Sequence, residues 1–178
     1  TLAAEDFDAN GRMSWFGALA WVNYLNAKNY GSYNDWRLPT TNTGPTSNCS
    51  NNNGVFHYGN GCTGSEMGNL FLNLLGEQAG TAVSVQEGDT LVQQANFALF
   101  SNVHSDAYWS GSEHVPNQLA WDHDGVSGWQ GYTDLPGHFS ALAVRSGDLA
   151  VPVPEPGTLA LLGLALAAAG LVRRRWPL

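Results

Sequence analysis

Basic residues are what this chain has least of. Its 178 residues include 7 Lys and Arg against 15 Asp and Glu, and Lys28 is the one lysine. Three of the seven stand together as Arg173, Arg174 and Arg175. Without these and Glu155, the body keeps 4 basic and 14 acidic residues. A surface of that sign repels phosphate and sulfate groups. It argues against nucleic acid, sulfated polymers and anionic membrane surfaces as partners of the body. Cysteine is scarce too, with Cys49 and Cys62 alone. The chain has no Gly-x-Ser-x-Gly elbow, no phosphate-binding loop and no internal repeat. Its acids are spread too evenly to nominate a glycosidase pair. These absences point to a non-catalytic protein. Gly, Asn, Ser and Trp are plentiful, the composition of a loop-rich extracytoplasmic domain.

The tail differs in kind from the body. Pro154, Glu155 and Pro156 lead into residues 158–172, which carry no charge and nothing more polar than one threonine. As a helix, 157–172 would rise roughly 24 Å at about 1.5 Å per residue, a little short of a ~30 Å hydrocarbon core. Snorkelling side chains or local thinning absorb such a mismatch. Arg173, Arg174, Arg175 and Trp176 are suitable flanks, with basic heads at the headgroups and an indole at the interface. Positive charge at this end alone places the C-terminus in the cytoplasm and the body outside the inner membrane.

Pro154-Glu155-Pro156, the apolar span and the arginine cluster, in that order, resemble the PEP-CTERM signal of Gram-negative bacteria. The resemblance implies recognition of the Pro-Glu-Pro region by exosortase, a membrane cysteine transpeptidase-like enzyme. It further implies export and a link to exopolysaccharide or biofilm matrix at the cell surface. It also implies an N-terminal secretory signal. The chain begins Thr1-Leu2-Ala3-Ala4-Glu5, read as a mature or truncated terminus from which the signal peptide is gone. In an oxidising compartment Cys49 and Cys62 read as a disulfide. A metal site there would need partners, and His57 is the nearest.

Along the body, 14–27 has helical spacing at Trp15, Ala18, Leu19, Val22 and Leu25, with Ser14 as cap. Residues 63–66, Thr-Gly-Ser-Glu, read as a capping box. They open a second helix with a buried face of Met67, Leu70, Phe71, Leu74 and Leu75 and a stop at Gly76. From about Val83 the pattern becomes short strands. These are 108–112, a hairpin of 119–123 and 126–132 around Asp124-Gly125, and an alternating 139–145. The fold class expected is α+β, two helices followed by a small antiparallel sheet. The parts expected are an extracytoplasmic domain over 1–148, a linker over 149–156, a transmembrane sorting helix over 157–172 and a cytoplasmic basic tail over 173–178.

Gly-Arg-Met-Ser-Trp from Gly11, the run Asp35, Trp36, Arg37, Leu38, Pro39, Thr40, then Tyr-Trp-Ser-Gly-Ser-Glu from Tyr108 and Ala-Val-Arg-Ser-Gly-Asp from Ala143 resemble the DUF1566 or Lcl C-terminal-like domain. That resemblance implies a C-type-lectin-like, formylglycine-generating-enzyme-like fold and a role in adhesion or glycan binding outside the cell. Formylglycine-generating enzymes need a late copper-binding cysteine pair, and no cysteine follows Cys62, so that activity does not carry over. The 35–40 run reads as a structural staple, with ligand contact by Trp36 and Arg37 as the alternative.

The aromatics of the second half are expected in the core, except for a candidate glycan platform of Trp129, Gln130 and Trp121 near the Asp-Gly turn. Asp122-His123-Asp124-Gly125 starts like a calcium loop, but Val126 and Ser127 follow where further ligands belong. Asp122 and Asp124, with Glu113 and Asp134 nearby, remain the calcium candidates, and no other cofactor is expected. His104, His114, His123 and His138 show no metal-binding spacing. The function expected is an exported, non-catalytic surface or biofilm-matrix protein with exosortase, glycan and the lipid bilayer as partners. The alternative is a permanently anchored single-pass subunit of a membrane complex, its small residues Gly163, Ala167 and Gly170 packing against partner helices. A matrix-polymer hydrolase is the third reading.

Overall fold

A computed structural model describes residue 8, residues 10–115 and residues 118–147. The chain divides into two compact units, Thr1–Arg145 and Ser146–Leu178. The linker, Pro154, Glu155, Pro156, the 157–172 helix and Arg173, Arg174 and Arg175 lie outside the described residues. Among the described residues no helix is long and apolar enough to cross a membrane.

Helix α1 spans Trp15–Ala27. The Ser14 hydroxyl accepts the Gly17 N–H at 3.0 Å, satisfying one of the free donors of the first turn. Trp15, Ala18, Val22 and Leu25 form its buried stripe, as their spacing predicts. Asn29, in the left-handed region at φ 48°, turns the chain away. The cysteine loop follows. In it β1 (Asn51–Asn52) and β2 (His57–Tyr58) pair antiparallel, and Cys49 and Cys62 are bonded to one another.

The second helix departs from expectation. Ser65, not Thr63, is its cap, accepting the Gly68 N–H, and α2 covers only Glu66–Gly68. Glu66 turns away from the capping box and pairs with Arg37. The helix then widens into a π-helical stretch, Asn69–Leu74. The wider turn shifts side-chain phase: Phe71 and Leu75 stay buried while Leu74 emerges 46 % exposed. Gly76 ends it at φ 85°. A third helix, α3 (Leu91–Phe97), was not anticipated. It has a complete capping box from Thr90 and Gln93 but no buried residue; Leu91 and Val92 are exposed, so its helical spacing marks no core-facing stripe.

Four strands make the main sheet: β3 (Ala107–His114), β4 (Leu119–Asp124), β5 (Trp129–Asp134) and β6 (Ser140–Ala141), in the order β5-β4-β3-β6. The β4–β5 hairpin is in register from Leu119↔Asp134 to Asp124↔Trp129. β6 runs parallel to β3, so the sheet is mixed rather than antiparallel. The expected strand over 139–145 contributes only two residues to it. Its flanks pair elsewhere, Phe139 with Met13 and Val144 with Arg37. One core sets Met13, Trp15, Ala18 and Val22 against Trp109, Ala120 and Leu135; a second joins Met67, Phe71, Leu75 and Val83 to Tyr108. The class is α+β.

Candidate functional site

The 35–40 run acts as a clasp in this unit. The Trp36 N–H donates to Asn26 Oδ1 at 2.7 Å, and the Trp36 carbonyl accepts from Asn26 Nδ2 at 2.8 Å. Its indole N–H reaches the Tyr30 carbonyl at 2.9 Å. Arg37 grips Glu66 with two bonds of 2.7 and 2.9 Å, and Thr40 adds its N–H to the same carboxylate at 2.9 Å. The Arg37 bond chiefly holds the Glu66 carboxyl below the usual range, with Thr40 adding to it. Leu38 and Pro39 are buried, and the Gly111 N–H on β3 donates to the Pro39 carbonyl at 2.8 Å. Asp35 accepts from Arg145 at 3.0 Å, and Arg145 also lies 3.5 Å over the Tyr33 ring.

Strand alternation decides the candidate platform. Trp121, His123, Gln130 and Tyr132 share one face of the β4–β5 hairpin through the pairs Trp121↔Tyr132 and His123↔Gln130. The cysteine loop and the 65–77 segment cover that face. Trp121 is buried against Phe56, His114 and Tyr132. Gln130 is also buried: its Oε1 accepts from Ser65 Oγ at 2.8 Å and its Nε2 donates to the Asn42 carbonyl at 3.3 Å. Its backbone exchanges two bonds with Gly59. Gln130 therefore joins the cysteine loop to β5, and neither it nor Trp121 is part of an exposed platform. His123 lies deeper, 2.6 Å from Glu77, with Phe71 stacked on its ring. Glu77 also accepts the Gly128 N–H. Sequence reading missed Glu77, because a partner 46 residues away leaves no local signal.

The opposite face holds a different arrangement. Trp129 is 38 % exposed there. Its ring centroid lies 6.2 Å from that of Tyr58, edge to face. The Gly59↔Gln130 bridge brings Tyr58 alongside β5. A Cβ at Gly131 would come within 3.2 Å of Trp129 Nε1, so the bare glycine is what lets the indole lie across the strand. Tyr58, Asp122, Trp129, Gly131, Tyr132 and Thr133 line an open cleft of about 290 Å³.

Asp122 is only 7 % exposed, and its Oδ2 has no hydrogen-bond partner. Burial pushes its carboxyl up to about 6, and repulsion from Asp124 adds to that. A hydrogen bond from Thr133 and the charge of His123 act against the rise. Asp124, the other calcium candidate, is occupied locally, accepting from Val126 N at 2.9 Å and Ser127 Oγ at 2.7 Å. Among the described residues no group of three or more His, Cys, Asp and Glu could hold a metal ion, so Asp122 and Asp124 do not gather Glu113 and Asp134 into a calcium site. Histidines 104 and 138 are exposed and His114 is stacked on Tyr132.

A second hollow, about 450 Å³, is lined by Trp21, Leu25, Tyr30, Trp36, Leu142 and Ala143. It is aromatic but offers no carboxyl or amide side chain. The Trp129 cleft combines ring faces with a polar group, and that combination can hold a ligand with one apolar face and polar edges.

No curated protein and no solved structure was found to match the chain. A family model does match its tail: residues 152–175 are a PEP-CTERM protein-sorting motif. Such a motif implies export, membrane-associated sorting in Gram-negative bacteria and recognition by exosortase.

Proposed function

We propose that this is a non-catalytic cell-surface or biofilm-matrix protein whose body holds a glycan in the Tyr58–Trp129 cleft. The observation that carries the reading is the half-exposed Trp129 indole, laid over Gly131 beside Tyr58, with the Asp122 carboxyl in the same wall. A sugar ring has an apolar C–H face and a hydroxyl rim. The first fits an aromatic ring, and the second can donate to the Asp122 carboxyl in the cleft wall. The body belongs, on this reading, to the DUF1566 or Lcl-like group with its lectin-like fold, and exopolysaccharide is the partner.

The 157–172 helix would hold the body to the bilayer, with Arg173, Arg174 and Arg175 on the cytoplasmic side, until exosortase acts at Pro154-Glu155-Pro156. Asp122 has no second acid placed across the cleft among its lining residues, which supports binding rather than hydrolysis. No calcium or other cofactor enters this reading.

The test is a glycan microarray that includes bacterial exopolysaccharides, probed with the full chain in detergent. Wild type is expected to retain a restricted set of glycans. Trp129→Ala is expected to lose at least ten-fold in signal with its melting temperature unchanged. Equal retention by the folded variant would contradict the assignment.

A further inference from the structure

The cleft has an electrostatic asymmetry that stacking on sugar does not account for. Its one ionisable carboxyl, Asp122, is buried with Oδ2 unpartnered, and no lysine or arginine is among the lining residues. Thr133 and His123 offset only part of the cost of burying this carboxylate. Incompletely compensated groups of this kind collect at sites built for a ligand.

The two rings in the cleft wall, the exposed Trp129 and the half-buried Tyr58, are the other half of the observation. Tyr58 and Trp129 meet at 65°, forming an aromatic corner. Ring faces attract cations as well as C–H groups. Gly131 lets the indole lie close beside the carboxyl: a Cβ there would be 3.2 Å from Trp129 Nε1 and 3.8 Å from Asp122 Oδ1. The body around the cleft is acidic, with 14 acidic and 4 basic residues once the tail's charges are set aside.

We infer that the cleft selects an amine-bearing sugar, a hexosamine with a free ammonium, over neutral or N-acetylated sugars. This rests on the glycan reading above and adds the chemical class of the ligand. The ammonium would donate to Asp122 and neutralise it, which a hydroxyl cannot do. The sugar's C–H face would lie on Trp129, with Tyr58 closing the corner. A uronic acid or sulfated sugar would meet the same carboxylate as a like charge and be rejected.

Three trimers separate the possibilities: the glucosamine trimer, its fully N-acetylated form and cellotriose. Each is titrated calorimetrically into the full chain in detergent at pH 7 and 150 mM salt, a concentration that screens general attraction of a cation to an acidic protein. The glucosamine trimer is expected to bind at least ten-fold tighter than the other two. Asp122→Asn, which keeps shape and removes charge, is expected to abolish that preference while weak binding of all three persists. Trp129→Ala is expected to lose binding of all three. Equal binding of the three trimers by wild type, lost in Trp129→Ala, would overturn the amine preference and leave the glycan cleft standing. A glucosamine preference that survives Asp122→Asn would also overturn it. Binding of none of the trimers would overturn it as well; the microarray alone then decides the glycan reading.

Discussion

At the scale of single residues, Asp122 ties stability to function most closely. Its folded-state carboxyl sits near 6, above its ordinary value of 3.8, because burial disfavours the charged form. The sign follows from proton counting. Between those two values the folded chain holds a proton that the unfolded chain has released, so stability falls as pH rises from about 4 to about 6. Above that it levels off at a penalty of about 2–3 kcal/mol. Asp122→Asn is therefore expected to stabilise the body by about that amount at pH 8 and by little near pH 3.5. Urea melts of both proteins at the two pH values check this; a destabilised variant at pH 8 would contradict it. Gln130 shows the reverse case. Sequence reading paired it with Trp129 because they are adjacent, but alternation sends the two side chains to opposite faces. It is fully used inside the fold, and Gln130→Ala would leave the buried Ser65 hydroxyl without that acceptor, at about 1–3 kcal/mol.

At the scale of elements, what was legible had a period and what was not depended on distant partners. α1 declared itself through its apolar spacing and Ser14, and Asp124-Gly125 marked the β4–β5 hairpin. The turn is longer than expected: Asp124 still pairs with Trp129, and β5 starts there rather than at 126. α3 has a capping box and apolar residues at helical spacing, but none of them is buried and it lies within the stretch that reads as short strands. The 65–75 segment has an apolar pattern that fits an α-helix, yet Glu66 is drawn to Arg37 and the turn widens to π. No nearest-neighbour rule carries that information. The clasp of Arg37, Glu66 and Thr40 and the Gln130 knot both depend on residues many positions apart. Tyr58 reaches the cleft only because a two-residue strand in the cysteine loop aligns with β5.

The segment just after that loop is where single changes should be most damaging. A Cβ at Gly68 would overlap the Cys62 carbonyl, and one at Gly64 the Thr46 carbonyl, both backbone atoms that cannot rotate away. Gly68→Ala is expected to destabilise by about 2–4 kcal/mol, measured by denaturant melts, and to lower glycan binding by displacing Tyr58. Replacing Cys49 and Cys62 by serine opens a loop with a sequence separation of 13. It is expected to reduce stability by about 3 kcal/mol. An unchanged denaturation midpoint would show that the two-stranded hairpin holds Tyr58 in place unaided.

At the scale of the whole molecule, two parts follow different physics. The body is an acidic α+β unit organised around two cores on one mixed sheet. The tail is an apolar run between Pro154-Glu155-Pro156 and three arginines, and its match over residues 152–175 implies export and membrane-associated sorting. On the proposed route exosortase removes the segment beyond the Pro-Glu-Pro motif, so the intact mass of protein recovered from a secreted fraction should fall short by that segment. A full-length mass found only in membranes would favour the permanently anchored subunit instead. The tail was legible from sequence because its signal is local and compositional. Of the cleft, Trp129 was legible; Asp122, read as a calcium candidate, comes beside it through the hairpin register, and Tyr58 joins through a tertiary contact.

The most direct test of the central claim, that glycan sits on Trp129, is the set of tryptophan indole N–H signals in an NMR titration with bacterial exopolysaccharide. Trp129→Phe assigns its own peak. The account predicts that the Trp129 signal moves with added glycan, while Trp15 and Trp109, bonded to the Ser110 and Met13 carbonyls, stay in place. Movement of Trp21 and Trp36 with Trp129 unchanged would put the ligand in the other hollow and contradict it.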